Sequence, residues 1–242
     1  MYSLFENKVA LVTGGTRGIG KSIALYLHDH GAKVFITGRD EFPSSELKIL
    51  NYLKVDFFDR QKTSSFIKKV TTIPNLSILI NCAGINIVNS LEKVSLKDFD
   101  QIHEVNTRTP YILMQAAAQN MINGKRSGKI LNIASIWASH TKGGRSAYCS
   151  SKSAILGMTR AASIDFAAKG ILVNALSPGF ICTDLTERTL GVEGIKEMES
   201  LVPLKRLGKP EEIAEAAAFL VGPHNTYITG QNIIVDGGFT IV

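Results

Sequence analysis

Lys8-Val9-Ala10-Leu11-Val12-Thr13 runs directly into Gly14-Gly15-Thr16-Arg17-Gly18-Ile19-Gly20, after which Ile23, Ala24, Tyr26 and Leu27 recur at helical spacing. An apolar β-rich run, a glycine-punctuated turn and an amphipathic face read as strand, turn, helix. Glycine lets the backbone turn tightly and approach an anion closely. The helix start adds unpaired N–H groups at the positive end of its dipole. A diphosphate is the anion that dinucleotide-binding folds hold this way. The spacing is G-x-x-x-G-x-G rather than the commoner G-x-G-x-x-G.

The next strand, Lys33-Val34-Phe35-Ile36-Thr37, ends at Gly38-Arg39. A fold that selects NAD places an acid here for the ribose 2′-hydroxyl, and that acid repels a 2′-phosphate. This chain offers Arg39 instead, with Arg17 in the glycine turn. Guanidinium groups form charge-assisted hydrogen bonds with phosphate, so NADP (NADPH) is the expected cofactor.

The same rhythm continues to the end of the chain. Leu53 to Asp56 reads as a third strand, Asp59 to Val70 as a helix, and Ser77 to Asn81 as a buried strand ending in Cys82-Ala83-Gly84. Further helices are expected from about Ser95 to Met121, Ala147 to Ala168 and Glu211 to Phe219. Strands are expected at Lys129 to Ile133, Leu172 to Ala175 and Asn232 to Val235. Only 16 residues separate Arg39 from Asp56, a connection short enough to trim or delete a helix. The alternation predicts an α/β fold: a doubly wound parallel sheet of Rossmann type, one domain over residues 1–242. Ligands bind beyond the carboxyl ends of such strands. The polar residues fall there: Gly14 to Gly20 after the first strand, Arg39 after the second, Asp56 after the third, Asn81 to Gly84 after the fourth, Ser135 after the fifth, and Pro178-Gly179 after the sixth.

Tyr148-Cys149-Ser150-Ser151-Lys152 follows Ser135 by thirteen positions. On a helix, residues i and i+4 share a face, so the Lys152 ammonium stands beside the Tyr148 phenol and favours its ionised form. A tyrosine so placed exchanges protons near neutral pH. Asn106 sits inside a helical pattern, where asparagine is disfavoured.

Composition fits an enzyme domain: 242 residues, 45% hydrophobic, with no linker, repeat or low-complexity tract. No apolar run approaches a membrane span and no secretory signal is evident, so a cytoplasmic protein is expected. Cys82, Cys149 and Cys182 lack metal-ligand spacing and read as reduced thiols; no metal site is expected. The net charge of +6 comes from scattered basic residues, which argues for a phosphate-bearing small molecule or an acidic carrier protein rather than nucleic acid.

Taken together, Thr13 to Gly20, Asn81-Cys82-Ala83-Gly84, Asn106, Ser135, Tyr148-x-x-x-Lys152 and Ser177-Pro178-Gly179 resemble the successive motifs of the short-chain dehydrogenase/reductase family over essentially the whole chain. Cysteine replaces the second asparagine of the usual Asn-Asn-Ala-Gly. The resemblance implies reduction of a ketone, or the reverse, with Tyr148 as proton donor or acceptor and Lys152 lowering its pKa and holding the nicotinamide ribose. It gives Ser135 the substrate oxygen and Asn106 a water linking Lys152 to solvent. It also implies that Asp56 contacts adenine, that Asn81 and Ala83 line the adenosine side, that Ile181 and Thr183 contact the nicotinamide amide, and that Gly84, Pro178 and Gly179 also bind the cofactor. Tyr2, His103, Trp137 and His140 read as packing or rim residues.

Within the family, the runs Pro178 to Asp184, Arg206-Leu207-Gly208 and Tyr227 to Gly238 resemble 3-oxoacyl-[acyl-carrier-protein] reductases of fatty acid biosynthesis. That resemblance implies a substrate lid at about 184–207, a homotetramer, and docking of the acyl carrier protein on Arg126 and Lys169. A sugar or other secondary-alcohol dehydrogenase is the alternative enzyme. A catalytically idle NADP-binding regulatory protein is the alternative of another class.

Overall fold

The computed structural model describes residues 3–242, for 184, 185 and 187–190 the backbone alone, so Tyr2 lies outside the described residues. Strand β1 (Val9–Val12) passes through the glycine turn into helix α1 (Gly18–Asp29), and β2 (Lys33–Gly38) follows. Only a 3-10 turn, Ser45–Leu47, separates β2 from β3 (Asn51–Lys54), so the short connection has lost its helix. Then come α2 (Arg60–Val70), β4 (Leu76–Asn81), α3 (Leu96–His103), a π-helical turn (Glu104–Arg108) and α4 (Thr109–Asn123). The rest is β5 (Gly128–Ile133), α5 (Ser146–Ala167), β6 (Ile171–Pro178), α6 (Asp184–Leu201), α7 (Pro210–Val221) and β7 (Asn232–Val235).

The strands form one parallel sheet in the order β3-β2-β1-β4-β5-β6-β7. Winding reverses between β1 and β4, which opens a crevice at their carboxyl ends. Successive strand residues face opposite sides, and each side has its own core. Ala10, Val12, Ile78 and Ile80 pack with Ile23, Leu27, Ile213 and Ala217 of α1 and α7. Leu11, Leu79, Ile130 and Val173 pack with Phe66, Val70, Leu113 and Ala117 of α2 and α4. Ile23, Leu27 and Leu113 are fully buried, each contributing roughly 1.5–3 kcal/mol of hydrophobic stabilisation. Caps set the helix starts: the Asp59 carboxylate accepts from the N–H groups of Gln61 (2.9 Å) and Lys62 (3.0 Å), and Ser95 Oγ accepts from Asp98 N (3.0 Å).

Three boundaries depart from expectation. Strand β3 ends at Lys54 because Asp56 Oδ1 accepts from Phe58 N (3.1 Å), which turns the chain out of the ladder. Strand β6 runs on to Pro178 because its last four residues pair with β7. The single helix expected from Ser95 to Met121 is broken by the π-helical turn, and Asn106 stands on it. The segment read as a lid carries α6, whose backbone departs from helix at Gly191 (φ 62°). Among the described residues, no helix is long and apolar enough to cross a membrane and no cluster of His, Cys, Asp or Glu could hold a metal.

Candidate active site

The crevice is built by close backbone approach. Thr13 Oγ1 accepts from the N–H groups of both Cys82 and Ala83 (3.0 Å each), tying the end of β1 to the Asn81–Gly84 turn. Gly14 N donates to Thr37 Oγ1 (3.0 Å), tying it to β2 as well. Gly14 has φ +65°, and a Cβ there would lie 2.9 Å from Ala83 Cα. A Cβ on Gly20 would lie 2.3 Å from the Gly14 carbonyl oxygen. Only glycine fits either position.

The residues present fit a nucleotide diphosphate. Arg17 begins α1 with no side-chain cap and no acid in the first turn, so the N–H groups there are available to an anion. Arg17 and Arg39 are both exposed at this end of the sheet; the Arg39 guanidinium lies over the Phe58 ring, 5.9 Å from its centre. Thr16 packs against Gly38, where a Cβ would meet its methyl at 2.6 Å. Asp56 is half-buried two residues beyond the end of β3. Across the crevice, the Thr183 methyl would be 3.5 Å from a Cβ on Gly18, so the segment after β6 stands over the glycine turn. Ile181 is held by a bridge to Gly208, and Gly179 N donates to Val235 O (2.9 Å). The Asn81 side chain turns away: its Nδ2 donates to Asn132 Oδ1 (2.8 Å) on β5, and its buried Oδ1 has no partner.

Ser135, Tyr148, Lys152 and Asn106 come together where β5, α5 and the π-helical turn meet. Ser135 follows β5 in extended conformation, and its buried Oγ accepts from Trp137 N (3.2 Å). Lys152 is buried; its Nζ donates to Ile133 O (2.8 Å) and lies 5.8 Å from the Tyr148 ring centre. Asn106 Oδ1 accepts from Ile85 N (2.8 Å), while Nδ2 donates to Ile85 O (2.8 Å) and Ser151 Oγ (3.1 Å). A Cβ on Gly84 would lie 3.4 Å from Asn106 Oδ1 and 3.6 Å from Lys152 Nζ, so the two residues meet behind Gly84.

One expectation about charge is reversed. Burial pushes the Tyr148 phenol above its usual value, outweighing the side-chain hydrogen bond with Ser135 and the Arg145 charge, which both lower it. The phenol is therefore protonated at neutral pH. Burial also lowers Lys152 to about 8, and it raises the neighbouring Cys82 thiol to about 11 against the pull of the Lys152 charge. Sequence reasoning weighed lysine beside tyrosine and missed the desolvation of both.

Other expectations separate cleanly. Trp137 packs edge-on against Phe180 and Phe239. His103 Nε2 meets Ser150 Oγ (3.0 Å), and His140 is exposed. Arg126 and Lys169 stand before β5 and β6, at the amino ends of the strands, opposite the end that carries Ser135. Arg126 is engaged at home, donating from Nη2 to Asn120 O (3.0 Å) and Asn120 Oδ1 (2.8 Å); Lys169 is exposed beside Phe166. Arg145 was not anticipated. It begins α5 and its guanidinium lies 5.5 Å from the Trp137 ring centre; the available signal was a cation at a helix start, three residues before Tyr148.

A family model described as enoyl-(acyl carrier protein) reductase matches residues 14–240. The chain is 37% identical to the 3-oxoacyl-[acyl-carrier-protein] reductase FabG of Rickettsia typhi, covering 98% of this chain and 99% of that one. It is 36% identical to the FabG of Vibrio cholerae over the same shares. Among solved structures, a Beutenbergia cavernae protein provisionally described as an NAD(P)-dependent gluconate 5-dehydrogenase, with bound NADP at low occupancy, superposes with a TM-score of 0.93 at 29% identity over the whole of both chains. ElxO with NADP bound gives 0.88 at 30% identity over 97% of this chain and 99% of that one. With its glycine turn, its Ser135, Tyr148 and Lys152 and these full-length relatives, the chain belongs to the short-chain dehydrogenase/reductase family.

Proposed function

We propose that the protein is an enzyme that reduces a ketone to a secondary alcohol with NADPH, its substrate a 3-oxoacyl thioester carried on acyl carrier protein. The observation that carries the chemistry is the convergence of Ser135, a protonated Tyr148 and the buried Lys152 at the carboxyl end of β5. The substrate class is supported by the FabG relatives.

In this reading the turn from Gly14 to Gly20 and the start of α1 hold the diphosphate, and Arg17 and Arg39 hold the 2′-phosphate. Asp56 borders adenine, Ala83 and Gly84 border the adenosine, with Asn81 behind them bracing β5. Pro178, Gly179, Ile181 and Thr183 border the nicotinamide. Bound NADPH supplies the hydride. Ser135 donates a hydrogen bond to the carbonyl oxygen, and Tyr148 passes its proton to the alkoxide that develops there. Lys152 holds the ribose and stabilises the phenolate left on Tyr148. Asn106 fixes a water that returns a proton to Lys152. The segment 184–207 closes over substrate as a lid.

Carrier docking belongs to Arg126 and Lys169, Arg126 holding the α4 end and Lys169 offering the free charge. A six-residue strand separates that end of the sheet from Ser135 by roughly 20 Å, which the acyl arm must span to reach the site. The protein assembles as a homotetramer. Ile164 (79% exposed), Tyr227 (97%) and Ile241 (85%) are among the exposed apolar side chains it offers to interfaces. The test is NADPH consumption with 3-oxoacyl groups on carrier protein, the same groups on a small thiol, and keto sugars. The reading expects the thioesters to be reduced and Lys169→Glu to raise KM for the carrier-bound form alone. Reduction of keto sugars but not thioesters overturns the substrate, and NADPH binding without turnover overturns the enzyme.

A further inference from the structure

We infer that Arg145 makes the site prefer ketones bearing a carboxylate, with its guanidinium as the carboxylate's anchor. This rests on the ketone-reductase reading above and adds to its 3-oxoacyl substrate a carboxylate farther along the acyl chain; it does not rest on the carrier.

The placement is specific. The Arg145 guanidinium lies 5.5 Å from the Trp137 ring centre, and the residue stands three positions before Tyr148 at the start of α5. Its charge is felt at the Tyr148 phenol. A cation is therefore held beside Tyr148, the group that protonates the substrate oxygen. Arg145 is half-buried, and among the described side chains no carboxylate pairs with it. The helix dipole adds to its charge rather than offsetting it, because a helix start is itself positive. The indole attracts the guanidinium without neutralising it, so its N–H groups remain available to a carboxylate. A purely apolar acyl chain has no use for that charge. A carboxylate gains charge-assisted hydrogen bonds in a partly desolvated site.

The experiment measures kcat/KM with NADPH for a series of keto acids of increasing chain length, each beside its methyl ester, in wild type, Arg145→Gln and Arg145→Lys. A small 3-oxoacyl thioester is the reference. Each acid-to-ester ratio is taken within one preparation, so a variant that folds poorly still reports. The expected result is an acid preference of roughly tenfold or more at one chain length. It collapses towards unity in Arg145→Gln and is partly kept in Arg145→Lys. If acids and esters are reduced equally, or the ratio is unmoved in Arg145→Gln, the anchor is wrong while the reductase reading stands. If no ketone or thioester is reduced, the reductase reading fails and takes the anchor with it.

Discussion

Asn106 brackets Ile85, accepting from its N–H and donating to its carbonyl at 2.8 Å each. A regular helix would keep its backbone ladder intact and turn this amide with its neighbours. The π-helical turn Glu104–Arg108 breaks that ladder where Asn106 is buried. Glu104, also buried, braces the turn with ion pairs to Arg60 and Arg108 at 2.8 Å. Truncating Asn106→Ala leaves both Ile85 groups unmet, a loss of about 1–3 kcal/mol that thermal unfolding reads. Turnover with saturating NADPH falls as well. Unchanged stability and rate would show the bracket to be incidental.

Gly14 tests the crevice itself. Gly14→Ala must tolerate φ +65° and a Cβ 2.9 Å from Ala83 Cα, costing about 1–3 kcal/mol of stability. NADPH affinity, read by fluorescence titration, falls further than stability alone explains, because β1 and the Asn81–Gly84 turn are pushed apart.

Cofactor preference turns on charge. Arg39→Glu removes one phosphate donor and adds repulsion, so the NADPH-to-NADH ratio of kcat/KM drops roughly 10-fold or more. An unchanged ratio assigns the 2′-phosphate elsewhere.

Lys152 carries a pH signature. Its folded pKa of about 8 lies below its ordinary 10.5, so between those values the unfolded chain binds more protons than the folded one. The Lys152 contribution to stability therefore rises with pH across that window by up to roughly 1.4 kcal/mol per pH unit, while the Cys82 thiol, raised from 9.0 to about 11, opposes it above pH 9. Lys152→Met removes this slope and is more stable at neutral pH, while losing activity. The difference in denaturant unfolding between wild type and Lys152→Met from pH 7 to 9, below the Cys82 range, checks the sign.

Much of this was legible because the alternation of periods is set by local side chains. The Lys8 to Gly20 run gave strand, turn and helix, and the 16-residue gap from Arg39 to Asp56 foretold the missing helix. Strand β3 was misplaced because a single Asp56 hydrogen bond, not hydrophobic pattern, ends it. The π-helical turn left one trace, asparagine in a helix, since its cause is a contact with Ile85 twenty-one positions away in sequence. The elevated Tyr148 phenol was illegible because desolvation belongs to the packed site rather than to a five-residue spacing.

The central claim is that Tyr148 delivers the proton. Steady-state NADPH oxidation with a 3-oxoacyl thioester, compared between wild type and Tyr148→Phe, tests it most directly. NADPH binding should persist in the variant while kcat falls by roughly 10²–10⁴-fold. A Tyr148→Phe enzyme that keeps the wild-type rate would contradict the account.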